Sequence, residues 1–222
     1  KMTKSIKSAI VIGATGLVGR ELLNQLNRIE SCEKITAVVR REDSELKSLE
    51  KVQQFILDDF LLLNDEDVNG YSHAFSCLGT TLKKAGSKQK FHDIDYEINA
   101  HFADLFESTH THYLLISAMG ANSNSNFFYN RVKGELEKHI QILNLERVSI
   151  LRPSLLLGDR PEQRSLEDLT QKLYRKFSHL VPDSFKYKPV TAKQVAHTMV
   201  EAAQTQTEKF EIYDNLRIQN SK

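Results

Sequence analysis

"AIVIGATGLVGR", Ala9 to Arg20, decides the fold. Ala9 to Ile12 form an apolar, largely β-branched run, too short for a helix and suited to a strand buried on both faces. Glycines follow at a spacing of three, Gly13, Gly16 and Gly19, and then Leu17, Val18, Leu22, Leu23 and Leu26 recur with a helical period. A chain that turns this sharply from strand to helix needs residues without Cβ. The first turn of such a helix offers unbonded N–H groups and the positive end of its dipole to a pyrophosphate. The stretch therefore predicts a strand, a glycine turn and a helix that dock a dinucleotide, with Gly13, Thr15, Gly16, Leu17, Val18 and Gly19 in contact with it. The plain structural alternative is a tight turn packed for its own sake. Arg20 and Glu21 stand where a P-loop would carry Lys and Ser or Thr, which argues against nucleotide hydrolysis and kinase chemistry.

Outward from this stretch the pattern repeats. Apolar runs at Ile35 to Val39, Gln53 to Leu57, His73 to Gly79, Tyr113 to Ser117 and Val148 to Arg152 alternate with amphipathic segments. These include Ile98, Phe102, Leu105 and Phe106, and later Tyr129, Leu136, Ile140 and Leu143. Such alternation predicts a doubly wound α/β protein with a parallel sheet. After Pro153 a polar stretch, an apolar period at Leu166, Leu169, Leu173 and Phe177, and a helix opening near Ala192 on a Thr191/Gln194 capping box follow, before a short strand around Phe210. Residues 2–222 read as one domain, to which 154–222 contribute a small C-terminal cap on the substrate side.

A chain of 222 residues with 40% hydrophobic and 27% charged residues can bury one sizeable core. Thirty basic residues against 29 acidic ones give a net charge of +1, hence no general drive toward nucleic acid or an anionic membrane. The two cysteines, Cys32 and Cys77, are too few for a disulfide framework and lack metal-ligand spacing. No apolar run approaches a membrane span, and the first residues lack the apolar core of a signal peptide. Together these predict a soluble, cytoplasmic protein. The pair His110 and His112 lacks further ligands at metal spacing, so no metal is expected.

Chemistry-bearing residues fall at the ends of the expected strands. "VVRR" places Arg40 and Arg41 where an NAD site usually carries an acid for the ribose hydroxyls. Two guanidiniums suit a 2′-phosphate instead, which favours NADP, unless both face solvent or Glu42 and Asp43 neutralise them. Asp58 or Asp59 suits the adenine amino group or, equally, a helix N-cap. "SCLGTT" puts Leu78, Gly79, Thr80 and Thr81 on the crevice edge of the sheet. "YLLISAMG" puts Ser117 on the same edge, twelve residues before Tyr129, and Tyr129 and Lys133 share one helix face at i and i+4. An ammonium beside a phenol favours the phenolate, so Tyr129 can exchange a proton with a carbonyl oxygen that Ser117 orients. The four lysines of "KKAGSKQK", 83–90, read first as a solvated loop and second as an anion-attracting rim.

"GATGLVG", "SCLGTT", "SAMGAN" and "YNRVKGELE" resemble the short-chain dehydrogenase/reductase superfamily. "CLGTTLKKAG", "LRPSLLLGDR" and "PDSF" narrow the resemblance to its atypical branch, that of the Tat-interacting protein and its bacterial oxidoreductase-like relatives. The resemblance implies a Rossmann fold, an NADP(H) site and a catalytic set of Ser117, Tyr129 and Lys133. It also implies that Tyr129 and Lys133 contact the cofactor, Lys133 by holding the nicotinamide ribose, and that Pro153, Ser154 and Leu155 run beside the nicotinamide. Classical members carry a fourth catalytic Asn on the helix before the fifth strand. Asn99 lies on that helix, its register open. The branch implies a small carbonyl or alcohol substrate. Because it includes members proposed as regulators or assembly factors, it also leaves room for a cofactor-responsive protein partner.

Overall fold

The computed structural model describes residues 5–154, 156–157 and 186–221. Along the chain, β1 (Ser8–Ile12) leads into α1 (Leu17–Asn27), β2 (Lys34–Val39), β3 (Val52–Ile56), the short α2 (Asp65–Val68) and β4 (His73–Ser76). Two further short helices, α3 (Leu82–Ala85) and α4 (Lys88–His92), run into a wide π-helical turn, Asp93–Ile98, which continues as α5 (Asn99–Asp104). Then come β5 (His112–Ile116), α6 (Phe128–Ile142), β6 (Arg147–Leu151), β7 (Leu156–Leu157), β8 (Val190–Thr191), α7 (Ala192–Thr205), β9 (Phe210–Tyr213) and α8 (Asn215–Asn220). The six strands expected from the apolar runs each form within a few residues of their predicted bounds.

Seven strands make one parallel sheet in the order β3-β2-β1-β4-β5-β6-β9, and β7 pairs with β8 beside it. Alternate residues of each strand serve opposite faces. Ala9 and Val11 pack with Leu22, Leu23 and Leu26 of α1 and with Val195, Ala196 and Met199 of α7. Ile10 and Ile12 pack with Phe102 and Phe106, beside α5, and with Leu136 and Ile140 of α6. Each fully buried leucine of α1 contributes about 1.5–3 kcal/mol by leaving water.

Of the stretch expected as a cap, Val190 to Asn220 builds sheet and flank: β9 extends the sheet beside β6, and α7 lies on α1. The capping box at Thr191 and Gln194 forms as predicted. The apolar period at Leu166, Leu169, Leu173 and Phe177 lies outside the described residues.

The chain winds outward from β1 through β2 to β3, then returns to place β4 on the other side of β1. This reversal opens a crevice at the carboxyl ends of β1 and β4, where ligands bind in open α/β sheets.

Candidate cofactor and active site

The glycine turn occupies that crevice. Gly13 has φ +71°, and a Cβ there would lie 2.4 Å from the Cys77 carbonyl carbon at the end of β4. A Cβ on Gly19 would come within 2.1 Å of the Gly13 carbonyl oxygen. The N–H of Gly16 donates to Gly13 O at 3.1 Å, and α1 begins without a side-chain cap or an acidic residue in its first turn. Its leading N–H groups therefore face the crevice unshared. Thr15 is exposed and Leu17 half-buried, whereas Val18 points into the core and can meet a ligand only through its main chain.

Arg40 and Arg41, just past β2, are exposed and carry no ion pair among the described residues. The two acids able to neutralise them are engaged elsewhere. Asp43 receives both terminal nitrogens of Arg20, at 3.2 and 2.6 Å, and Glu42 pairs with Lys47 at 3.0 Å. Arg20 also donates from Nε to Thr15 O at 3.2 Å, so it ties the glycine turn to the loop after β2. The Arg20 hydrogen bond holds the Asp43 carboxyl below the usual range. Asp59 N-caps a 3-10 turn, accepting from Leu61 N at 2.9 Å, while Asp58 is exposed.

On the other side of the crevice, Lys133 of α6 is 3% exposed, and its Nζ lies 2.6 Å from Oδ1 of Asp95, which is wholly buried. Burial works against the ammonium, but Asp95 and then Tyr129 outweigh it, so the Lys133 pKa is raised. The second oxygen of Asp95 accepts from Thr80 N at 2.9 Å. The π-helical turn puts Asp95 here, and such turns often mark functional sites. Asn99 closes the turn: its Nδ2 donates to the carbonyls of Ile94, Asp95 and Leu78, each at 3.3 Å, and its Oδ1 accepts from Ser76. Thr81 N-caps α3 through Lys84 N, and Gly79 is exposed beside half-buried Leu78.

Tyr129 is half-buried, with its ring 5.5 Å from that of Phe91 and its centroid 5.9 Å from Lys133 Nζ. Ser117 is 4% exposed and sits just past β5, but its hydroxyl donates to Glu137 Oε1 at 2.5 Å and shares no hydrogen bond with Tyr129. Glu137 is held in turn by Arg152, from Nε at 3.1 Å and from Nη2 at 2.5 Å. The structure thus brings Tyr129 and Lys133 together as the spacing predicts, and it gives Ser117 a partner the sequence reading missed. A signal existed: Tyr129, Lys133 and Glu137 stand at i, i+4 and i+8 on one helix face.

Gly134 lets the loop after β5 lie against α6, since a Cβ there would meet Ser123 N at 2.1 Å. That loop is stapled to the helix by Asn122 N to Asn130 O at 3.0 Å and Arg131 Nη1 to Ser125 O at 3.0 Å. Pro153 is buried and accepts from Met119 N at 2.8 Å. Ser154 spends its amide on Asn215 Oδ1 and its hydroxyl on Lys188 O, both at 2.8 Å, while Leu155 lies outside the described residues. Burial pushes the Cys77 thiol up, away from thiolate chemistry. His110 and His112 do not converge. The first is exposed near Glu146, and the second is buried 2.7 Å from Ser149 Oγ. Among the described residues no group of three or more His, Cys, Asp or Glu is arranged to hold a metal ion.

This sheet, with its glycine turn and the Tyr129/Lys133 helix at its crevice, is a Rossmann fold. The chain is 36% identical over 207 residues to Protein FMP52-1, mitochondrial, of Scheffersomyces stipitis, covering 91% of this chain and 90% of that one. It is 35% identical over 183 residues to Protein HTATIP2 of Rattus norvegicus, covering 81% and 73%. It belongs to the family of the FMP52 and HTATIP2 proteins. No family model matches it. Among solved structures, the UDP-glucuronic acid 4-epimerase of Bacillus cereus in complex with NAD superimposes with a TM-score of 0.68 at 12% identity, covering 93% of this chain and 76% of that one. Vestitone reductase from alfalfa gives a TM-score of 0.64 at 14% identity, with the same coverage of 93% and 76%.

The cytoplasmic assignment made from the sequence is overturned by these relatives, because the Scheffersomyces stipitis protein and several others are named mitochondrial. A low thiol count fits any reducing compartment, and net charge bears on none, so neither singles out the cytoplasm. No helix among the described residues is long and apolar enough to cross a membrane.

Proposed function

We propose that the protein binds NADP(H) across the crevice between β1 and β4 and transfers hydride to or from a small carbonyl or alcohol substrate. The observation that carries this reading is a tight glycine turn that admits no Cβ at Gly13 or Gly19, at the same crevice as a buried ammonium beside a phenol. Gly13, Thr15, Gly16, Leu17, Val18 and Gly19 would hold the pyrophosphate, Arg40 and Arg41 the 2′-phosphate, and Asp59 the adenine through its uncapped oxygen. Leu78 to Thr81, Lys133, Pro153, Ser154 and Leu155 would flank the nicotinamide ribose and ring. Bound NADPH supplies the hydride. Tyr129 gives or takes the proton at its phenolic oxygen, Lys133 supplies the positive charge beside it, and Ser117 orients the substrate oxygen. The chain would form a single domain, with a substrate-side cap from the part of 154–222 outside the sheet and flank of 190–220, and the family relation points to mitochondria as the compartment.

The test is calorimetric titration with NADPH and NADH at fixed salt. NADPH should bind more tightly, and replacing Arg40 and Arg41 with alanine should weaken NADPH by roughly ten- to a hundredfold while leaving NADH almost unchanged. Equal loss for both nucleotides would refute the phosphate role, and no binding of either would end the cofactor reading.

A second reading rests on the bond from Ser117 to Glu137. With its proton committed there, Ser117 fits a protein that holds the cofactor without turnover and signals its occupancy to a protein partner. Carbonyl-dependent NADPH oxidation that Tyr129→Phe abolishes would exclude it.

A further inference from the structure

Asp95 is a carboxylate with no exposed surface, placed beside the crevice. A hydrogen bond and an ion pair hold it: Thr80 N–H donates to Oδ2 at 2.9 Å, and Lys133 Nζ stands 2.6 Å from Oδ1. A Cβ on Gly79 would stand 3.3 Å from Asp95 Oδ1 and 3.6 Å from Lys133 Nζ, so the ion pair lies directly beneath the loop that follows β4. Burial disfavours a charged ammonium unless a counter-charge faces it. Three titratable groups do so here: Asp95 from the π-helical turn, and Tyr129 and Glu137 from the lysine's own helix. Glu137 is already shared between Arg152 and Ser117. Asp95 is therefore the counter-charge available to this lysine alone.

We infer that Asp95 is a positioning residue, which keeps Lys133 both charged and fixed beneath Gly79 so that nucleotide binding there does not vary with pH. The inference rests on the cofactor role of Lys133. Once the carboxylate is gone, burial dominates, and the ammonium loses its proton within the range in which the protein is handled.

The experiment is NADPH titration by calorimetry from about pH 7 to pH 9.5 at fixed salt, a range below the usual lysine pKa of about 10.4. The unaltered protein, Asp95→Asn, Lys133→Met and the double variant are compared. The unaltered protein should bind with a nearly flat profile. Asp95→Asn should bind more weakly, with affinity falling by up to about tenfold per pH unit above the lowered lysine pKa. Lys133→Met should be weak and flat, and the double variant should match it within about twofold. A flat profile for Asp95→Asn, or a further loss on adding Asp95→Asn to Lys133→Met, would overturn the inference. If Asp95→Asn does not fold, Lys133→Met and the double variant decide, the double variant leaving neither an unpaired ammonium nor an unpaired carboxylate buried. An unaltered protein that binds no NADPH is a different outcome, which removes the cofactor reading and this inference with it.

Discussion

Between Gly13 and Arg41 the crevice is built from main chain and from charge left open to solvent, whereas between Ser117 and Arg152 it is built from side chains already bonded to one another. The first half keeps N–H groups and two guanidiniums unshared. In the second, Lys133 is held by Asp95, Ser117 by Glu137, and Glu137 by Arg152. The difference matches the two tasks. An extended anion is held by many weak donors on a shaped surface, while proton transfer needs a few groups held in one place and one charge state.

The comparison breaks most visibly at Tyr129. With a carbonyl substrate identified, Tyr129→Phe should lower the rate by roughly 10²- to 10⁴-fold while NADPH affinity stays within about threefold, because the phenol belongs to chemistry and not to binding. Steady-state kinetics beside a titration checks this. A parallel loss of affinity would mean that the two halves are not separable.

Glu137→Leu should destabilise the fold by about 2–3 kcal/mol, the lower part of the range for a broken buried pair, because Arg152 is 31% exposed and water replaces part of what it loses. Urea denaturation measures it. A neutral result would show that the second half is not a bonded lattice. Gly19→Ala should cost about 1–3 kcal/mol through overpacking and should abolish nucleotide binding, since its Cβ would displace the Gly13 carbonyl. Retained affinity would show that the turn is not the cradle.

The smallest effect belongs to Asp43, on the open half. Its carboxyl pKa is lowered in the fold, so its contribution is present above the unfolded value, near pH 3.9, and is lost as pH falls through the folded one. Asp43→Asn should cost about 0.5–1 kcal/mol at pH 7, as for a partly exposed pair, and the difference should vanish in acid. Denaturation at the two pH values reads it directly.

The open half was legible in the sequence because its determinants are local. Three glycines, one strand and one helix carry it, and the main chain does the work. The bonded half was read only in Ser117, Tyr129 and Lys133, although the helix face of the last two also carries Glu137. Lys133 takes its partner Asp95 from a π-helical turn and Glu137 takes Arg152 from just past β6, and no local pattern announces that Asp95 lies against Lys133 38 residues further along the chain. The compartment was misread because composition reports chemistry and not address.

The turn at Asp93–Ile98 is wound wider than the helices on either side of it, so it holds one more residue than an α-helix of equal length. A helix rotates by about 100° per residue, and a one-residue deletion in an ordinary helix swings everything beyond it to a new face. Here a deletion would instead let the turn close to α geometry and leave α5 facing the sheet as before. The segment is thus a place where the gene can lose a codon and keep the fold, with the whole effect falling on the site.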